Sequence, residues 1–413
     1  MLEHAGIDLI AMQQLTDSVK LWLPQAIACA FLFCFGACAG SFMNVVMYRL
    51  PQDLSVISPP SRCPRCGYRL KWYQNIPILG WLLLRGRCGA CRGSVSVQYP
   101  LVELLVAMMF VCIYLVLYVS DGSAWPGSLS SVFWRSGGFD TTWPGYIVIA
   151  VLFCGLLTMT VIDARTFLIP IQIPVVMTVT ALCGWLLLGV LEGDSLDRWP
   201  IPVPGRIAAT ATVGGWLGLA IGYVLLRAGH IRYSFSDYED YVVEGETIAD
   251  YPHARREMGP ELLYLLFPAV GLVAGAGIAM LLPQLDPPSW IRVLSASGLG
   301  YLVGGGLVWL VRILGTLAFG KEAMGLGDVH LLAAVGAILG WIDPIAIFFI
   351  APFFGLAWVL VAGGLGRFVH GLRRELPYGP HLAMATVILV LFRPWLIELG
   401  SIIAPGVIQG GVP

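Results

Sequence analysis

The chain has 413 residues, 58% of them hydrophobic and only 12% charged, with a mean hydropathy of +0.80. A soluble domain carries about 25% charge, so lipid must replace water around much of this surface. The net charge of −1 excludes a general attraction to nucleic acid and leaves electrostatic effects to local asymmetry.

Residues 1–20 contain Glu3, Asp8 and Asp17 against one Lys20, so the basic start of a cleavable signal is missing. The run 21–47 is therefore expected to be a retained anchor, since it is long enough to cross about 30 Å of hydrocarbon as a helix. Further spans are expected near 101–119, 146–162, 172–191, 207–227, 262–282, 295–317, 344–364 and 379–398. The shorter run 329–341 is expected to form a broken unit with its neighbours. The predicted fold is an all-α polytopic membrane protein of about 8–10 transmembrane helices with a small cytoplasmic zinc-binding loop domain. In order, this gives an N-terminal segment and first helix (1–48), the loop domain (49–100) and helices through 199. An inserted hairpin (200–290) and a last group of helices (291–413) follow.

Lys and Arg counts orient these spans. Segment 49–100 holds Arg49, Arg62, Arg65, Arg69, Lys71, Arg85, Arg87 and Arg92, whereas 120–145 holds only Arg135. The first segment is accordingly cytoplasmic. Threading onward places Asp163 at the end of an inward-running span, and four further spans return Asp328 to the same face. The loop 365–377, with Arg367, Arg373 and Arg374, also comes out inside.

Those two aspartates stand beside apolar runs, Asp163 in Thr160–Arg165 and Asp328 in Gly325-Leu326-Gly327-Asp328. A carboxylate at the edge of hydrocarbon is costly, which makes each a candidate functional residue. A pair on one face suits a shared proton and an activated water. Helix capping, or for Asp163 pairing with Arg165, is the competing reading. Gly325 and Gly327 favour the first, because glycine lets backbone approach a substrate closely.

Cys63-Pro64-Arg65-Cys66 and Cys88-Gly89-Ala90-Cys91 form two CxxC pairs 21 residues apart. Two such knuckles close a tetrahedral thiolate site that suits zinc, and four protein ligands make it structural. In the cytoplasm structural disulfides are disfavoured. The other six cysteines lie in apolar runs and read as small hydrophobes. The stretch 229–260 carries Asp237, Glu239, Asp240, Glu244, Glu246, Asp250 and Glu257, and reads as a solvated loop or as a docking surface for a basic partner.

The ordered motifs resemble those of the bacterial type IV prepilin peptidases (prepilin leader peptidase/N-methyltransferases), which are GxGD-type membrane aspartic proteases. The similar segments are Gly40-Ser41-Phe42-Met43-Asn44-Val45 with Tyr48-Arg49-Leu50-Pro51, the two CxxC pairs, Trp72–Pro77 and Tyr99–Leu104. Asp163 with Ile169-Pro170, Gly320–Asp328 and Pro377-Tyr378-Gly379-Pro380 complete the series. The resemblance covers roughly 25–195 and 295–398. It implies a bacterial inner-membrane enzyme with Asp163 and Asp328 as the catalytic pair. It also implies structural zinc on Cys63, Cys66, Cys88 and Cys91. The expected partners are the bilayer and prepilin or pseudopilin substrates, with no nucleic acid. The leader peptide would be cut at the cytoplasmic face, and the new N-terminus methylated with S-adenosylmethionine as donor.

Three positions depart from the family pattern: His330 where a Lys is common, Ile171 where Asp or Asn is frequent, and the stretch 200–290, which has no counterpart. Glu103 and Glu322 are candidate supporting residues, with Gly325, Gly327 and His330. Gly36, Gly40, Ser41 and Asn44 read either as part of a cofactor site or as close helix packing. A transporter would use intramembrane carboxylates too, but would place them near the midplane of a repeated chain. A zinc-bearing scaffold leaves Gly-x-Gly-Asp unexplained, and the four cysteines argue against a presenilin-type protease.

Overall fold

The computed structural model describes residues 2–120, 132–191, 199–236, 253–365 and 377–403. Among these residues the chain is helical without strands. Eight helices are long and apolar enough to cross a membrane, so the protein is a multi-pass membrane protein.

Two compact units divide the chain, Met1–Val119 and Ser120–Pro413. In the first, α1 (Leu2–Arg49) packs on α3 (Gln98–Tyr114), and the intervening loop carries the one-turn helix α2 (Leu79–Leu83). The α1–α3 contact follows from the GACAG sequence. A Cβ added at Gly36 would lie 2.9 Å from the Ala107 Cα, and one at Gly40 would lie 2.8 Å from the Glu103 Cα. Small residues four apart let two helices approach to backbone contact, the packing that lipid cannot replace. Gly36 and Gly40 are therefore packing positions.

The second unit contains α4 (Val132–Thr166), α5 (Gln172–Leu191), α6 (Arg206–Arg227), α7 (Ala254–Leu281), α8 (Ser289–Phe319), α9 (Leu326–Leu339), α10 (Asp343–Leu365) and α11 (Tyr378–Ile403). Helix α4 starts earlier than the expected 146, because a short helical stretch joins it across a break at Gly138, where φ is +70°. Thr142 bonds the Gly138 carbonyl at 2.6 Å, and Pro144 falls near the start of the straight part, where a missing N–H is tolerated.

Helix α9 organises this unit. Its 14 residues reach about 21 Å, short of a bilayer's hydrocarbon thickness. From Asp328 to Leu339 all of its side chains but His330 are buried. It is enclosed by α8, α5, α10, α11 and α4. Gly300 of α8 and Gly336 of α9 lie backbone to backbone, and a Cβ at Gly336 would meet Pro344 Cγ at 3.0 Å. The broken unit expected near 329–341 is this protein-enclosed helix.

Helices α6 and α7 pair with each other and lean on α8. Six of the seven acidic residues of 229–260 lie outside the described residues. The seventh, Glu257, is buried at the start of α7. It accepts the Phe235 N–H at 2.9 Å and pairs with Arg232 at 3.3 Å, so it belongs to no acidic surface.

The α8–α9 seam makes a testable demand. Gly300→Leu should overpack it and cost about 1–3 kcal/mol, read as a lower melting temperature in detergent. Gly306→Leu, on a position with open space around it, should leave the melting temperature unchanged.

Candidate active site and metal centre

Asp163 occupies the last turn of α4 and is 3% exposed. The helix ends just after it: Phe167, in the left-handed region with φ +57°, donates its N–H to the Asp163 carbonyl at 2.9 Å. This turn swings Ile169 and Pro170 back across the helix end. Ile169 then lies between two glycines from distant segments. A Cβ on Gly327 would stand 2.8 Å from Ile169 Cβ, and a Cβ on Gly379 would stand 3.1 Å from Ile169 Cδ1. A side chain at Gly379 would also overlap the Asp163 carboxylate, which lies directly against this glycine.

Asp328 is buried in the first turn of α9. Gly325 is the N-cap, extended at φ −70° and ψ 145°, and lies beside the Asp328 carboxylate. The N-terminal end of a helix dipole favours a carboxylate there. Asp163 and Asp328 lie within electrostatic reach of each other, and Tyr378 lies within reach of Asp328. Three sequence motifs far apart in the chain thus converge: Asp163 with Ile169, the Gly325–Asp328 turn, and Tyr378-Gly379.

One participant escaped the sequence reading. Arg312 in α8 is 2% exposed and lies within electrostatic reach of Asp328. It pairs with Glu261 of α7 at 3.1 Å and with Glu322, and it donates to the Met324 carbonyl. The available signal was a lone arginine in the run Leu310-Val311-Arg312-Ile313-Leu314, since an ionisable group inside a span is a functional candidate in its own right.

The candidate supporting residues separate. Glu322 joins Arg312. His330 is half-buried on α9, and Ile171 is exposed. Glu103 faces the loop of its own unit: its carboxylate accepts the Ile78 N–H at 2.6 Å and the Ser41 hydroxyl. Ile78 has φ +62°, a costly value for a β-branched residue, so Glu103 secures a strained turn. Asn44 donates to the Tyr99 carbonyl at 3.1 Å. Gly36, Gly40, Ser41 and Asn44 are thus all engaged in holding α1, α3 and the loop together.

The four cysteines of the loop do assemble. Their Sγ atoms all lie within 4.8 Å of one another, with Cys63–Cys91 at 4.0 Å and Cys66–Cys88 at 3.9 Å. Zinc–thiolate bonds of about 2.3 Å give a tetrahedral edge of about 3.8 Å, so the set fits this metal. A disulfide needs sulfurs at about 2.05 Å, and none forms here. The two knuckles are built alike. Bridges Arg62–Arg69 and Arg87–Ser94 close them, and the residue after each second cysteine is left-handed: Gly67 at φ +69° and Arg92 at φ +56°. The backbone N–H groups of Cys91 and Ala90 point at Cys88 and pull its thiol down to about 6, toward the thiolate a metal requires.

Residues 34–117 match the bacterial peptidase A24 N-terminal domain, and residues 261–360 match the type IV leader peptidase family. The second stretch contains Glu261, Arg312, Glu322 and Asp328, whereas Asp163 precedes it; it begins inside 200–290, so from Glu261 onward that stretch does have a counterpart in the family, contrary to the expectation. The prepilin leader peptidase/N-methyltransferase of Aeromonas salmonicida is 26% identical over 392 residues, covering 88% of this chain and 90% of the relative. The protein of that name from Pseudomonas aeruginosa is 26% identical over 395 residues, covering 88% and 91%. The Myxococcus xanthus protein is 59% identical over 80 residues, which span 19% of this chain and 24% of that relative. No solved structure matches the chain. The chain carries both family segments in order and aligns with these peptidases over most of its length.

Proposed function

We propose that this protein is a membrane aspartic endopeptidase that removes the leader peptide of prepilins or pseudopilins, with Asp163 and Asp328 as the catalytic pair. N-methylation of the new N-terminus, the second activity in the relatives' names, follows cleavage. The observation that carries this reading is the convergence of the two buried carboxylates: Asp163 lies against Gly379 and near Ile169, and Ile169 lies against Gly327, the residue before Asp328.

Two adjacent buried carboxylates share one proton, because both cannot ionise at close range. The ionised carboxylate takes a proton from water as the water oxygen bonds to the scissile carbonyl carbon. The protonated carboxyl donates to the carbonyl oxygen, which becomes a hydroxyl of the tetrahedral adduct. On collapse one hydroxyl of the adduct returns its proton to the carboxylate that had donated, the C–N bond breaks, and the leaving amine takes the proton that came from water. Gly379 and Gly325 leave room for each carboxylate to lie against backbone. Methylation needs a donor such as S-adenosylmethionine.

The site is proposed to face the cytoplasm of the bacterial inner membrane. Support comes from the eight Lys and Arg of segment 49–100 and from the four apolar helices, α5 to α8, that separate Asp163 from α9. An even number of crossings returns the chain to the same face. The four cysteines are proposed to hold one structural zinc. A loop of about fifty residues has little core of its own, so metal binding would supply much of its folding free energy.

Asp163→Asn and Asp328→Asn should each abolish leader cleavage of a co-expressed prepilin while inserting normally, because a dyad acts as a unit. More than about a tenth of the wild-type rate in either variant would remove that residue from the dyad. Gly379→Ala should lower the rate of cleavage without preventing insertion, since its Cβ displaces the Asp163 carboxylate. An unchanged rate would detach Gly379 from the site. Metal analysis of protein purified under reducing, chelator-free conditions should find one zinc per chain. Cys88→Ser should lose it and expose 49–100 to protease, whereas zinc-free wild-type protein would sink the assignment.

A further inference from the structure

The α6–α7 hairpin falls between the two aspartates in sequence, and no motif within it points to the catalytic helices. The packing around Arg312 ties it to them nonetheless. The linker from α8 to α9 begins at Gly320, left-handed at φ +72°, and ends at Gly325, and the side chains of Lys321 and Ala323 are exposed. Such a segment has little of its own to fix it. What fixes it is α8. Arg312 binds the Glu322 carboxylate and the Met324 carbonyl through one terminal nitrogen, and the Ala323 N–H donates to Thr316 Oγ1 at 3.2 Å. Three consecutive residues are thereby pinned, and the next one is Gly325, the N-cap beside the Asp328 carboxylate.

Arg312 is in turn held by α7. Its Nε and Nη2 donate to the Glu261 carboxylate at 3.1–3.3 Å, and Trp309 Nε1 donates to the same group at 2.8 Å. Glu261 is 3% exposed, so this is a buried ion pair. Arg255, at the start of α7, donates to the Ala318 carbonyl at 3.0 Å and lies against Gly320, so α7 touches the linker's other end as well. A guanidinium presents its donors in a rigid planar fork, which lets one side chain face α7 and the linker together. A lysine cannot do this.

We propose that Glu261, Arg312 and Glu322 form a strut through which α7 positions the Gly325–Asp328 turn, so that the hairpin is part of the peptidase site. Arg312 and Glu261 are positioning residues: they act through the turn and not on the substrate. The proposal rests on the peptidase reading.

The test uses the full-length protein in proteoliposomes with a purified prepilin. Glu261→Gln removes the charge from α7 while keeping the side chain's shape, and it lies remote in sequence from the turn. It should lower kcat about tenfold, with KM within about twofold of wild type, the scale of losing one charge-assisted bond. Glu322→Gln should behave similarly. The double variant should fall less than the product of the two, because both act through one guanidinium. A role confined to stability would instead lower yield and melting temperature and leave kcat untouched. Wild-type kcat in Glu261→Gln, or effects that multiply, overturns the strut. Should Glu261→Gln fail to insert, Trp309→Phe carries the test. It removes one donor to Glu261 and should lower kcat alone, by about threefold. Wild-type kcat in that variant overturns the proposal equally. Wild-type protein that does not cleave, or Asp328→Asn protein that does, refutes the peptidase reading itself. Cleavage by wild type, silence in Asp328→Asn and full kcat in Glu261→Gln refute the strut alone.

Discussion

An ionisable group among apolar helices has no water to solvate it, so its partners must come from the protein. This constraint accounts for most of what surrounds the candidate site. Asp163 lies against Gly379, and Asp328 lies beside Gly325. Arg312 answers to Glu261 and Glu322, and at the start of α10 the buried Asp343 pairs with Arg393 at 3.3 Å. Asp163 with Gly379, Arg312 with Glu261 and Asp343 with Arg393 each join elements remote in sequence. The charges therefore act as fasteners between helices that apolar packing in lipid leaves free to slide.

Close approach is the second condition. Backbone reaches the carboxylates only where neighbouring elements come nearer than ordinary side chains permit. Gly327 and Gly379 provide that room around Ile169, and Gly300 and Gly336 provide it along the α8–α9 seam. The short α9 is tolerated because protein encloses it, so its ends need not reach the bilayer surfaces. A full-length span at that position would carry its first turn away from the end of α4.

The loop unit solves a different problem, folding about fifty residues without a core. Two knuckles of the same construction bring four sulfurs to tetrahedral spacing, and Glu103 and Asn44 fasten the surrounding chain to α1 and α3. Glu103 looks in sequence like a candidate for the reaction. Its geometry makes it an anchor for the strained turn at Ile78.

The sequence by itself determined the number and order of the apolar helices, the four-cysteine cluster and the two aspartates worth attention. Each of these depends on local composition or on spacing along one stretch of chain. Hydrophobic run length reports a span, CxxC reports a knuckle, and an aspartate beside an apolar run reports a cost that something must offset. Only the tertiary structure decided what offsets it. That Gly379 lies against Asp163, that Ile169 lies between Gly327 and Gly379, and that Glu261 of the α6–α7 hairpin holds Arg312 are contacts across 51 to 216 residues of chain. No local pattern encodes such pairings, because they exist only after helices with little individual preference for one another have packed, and the packing is chosen by small residues and buried charges acting together.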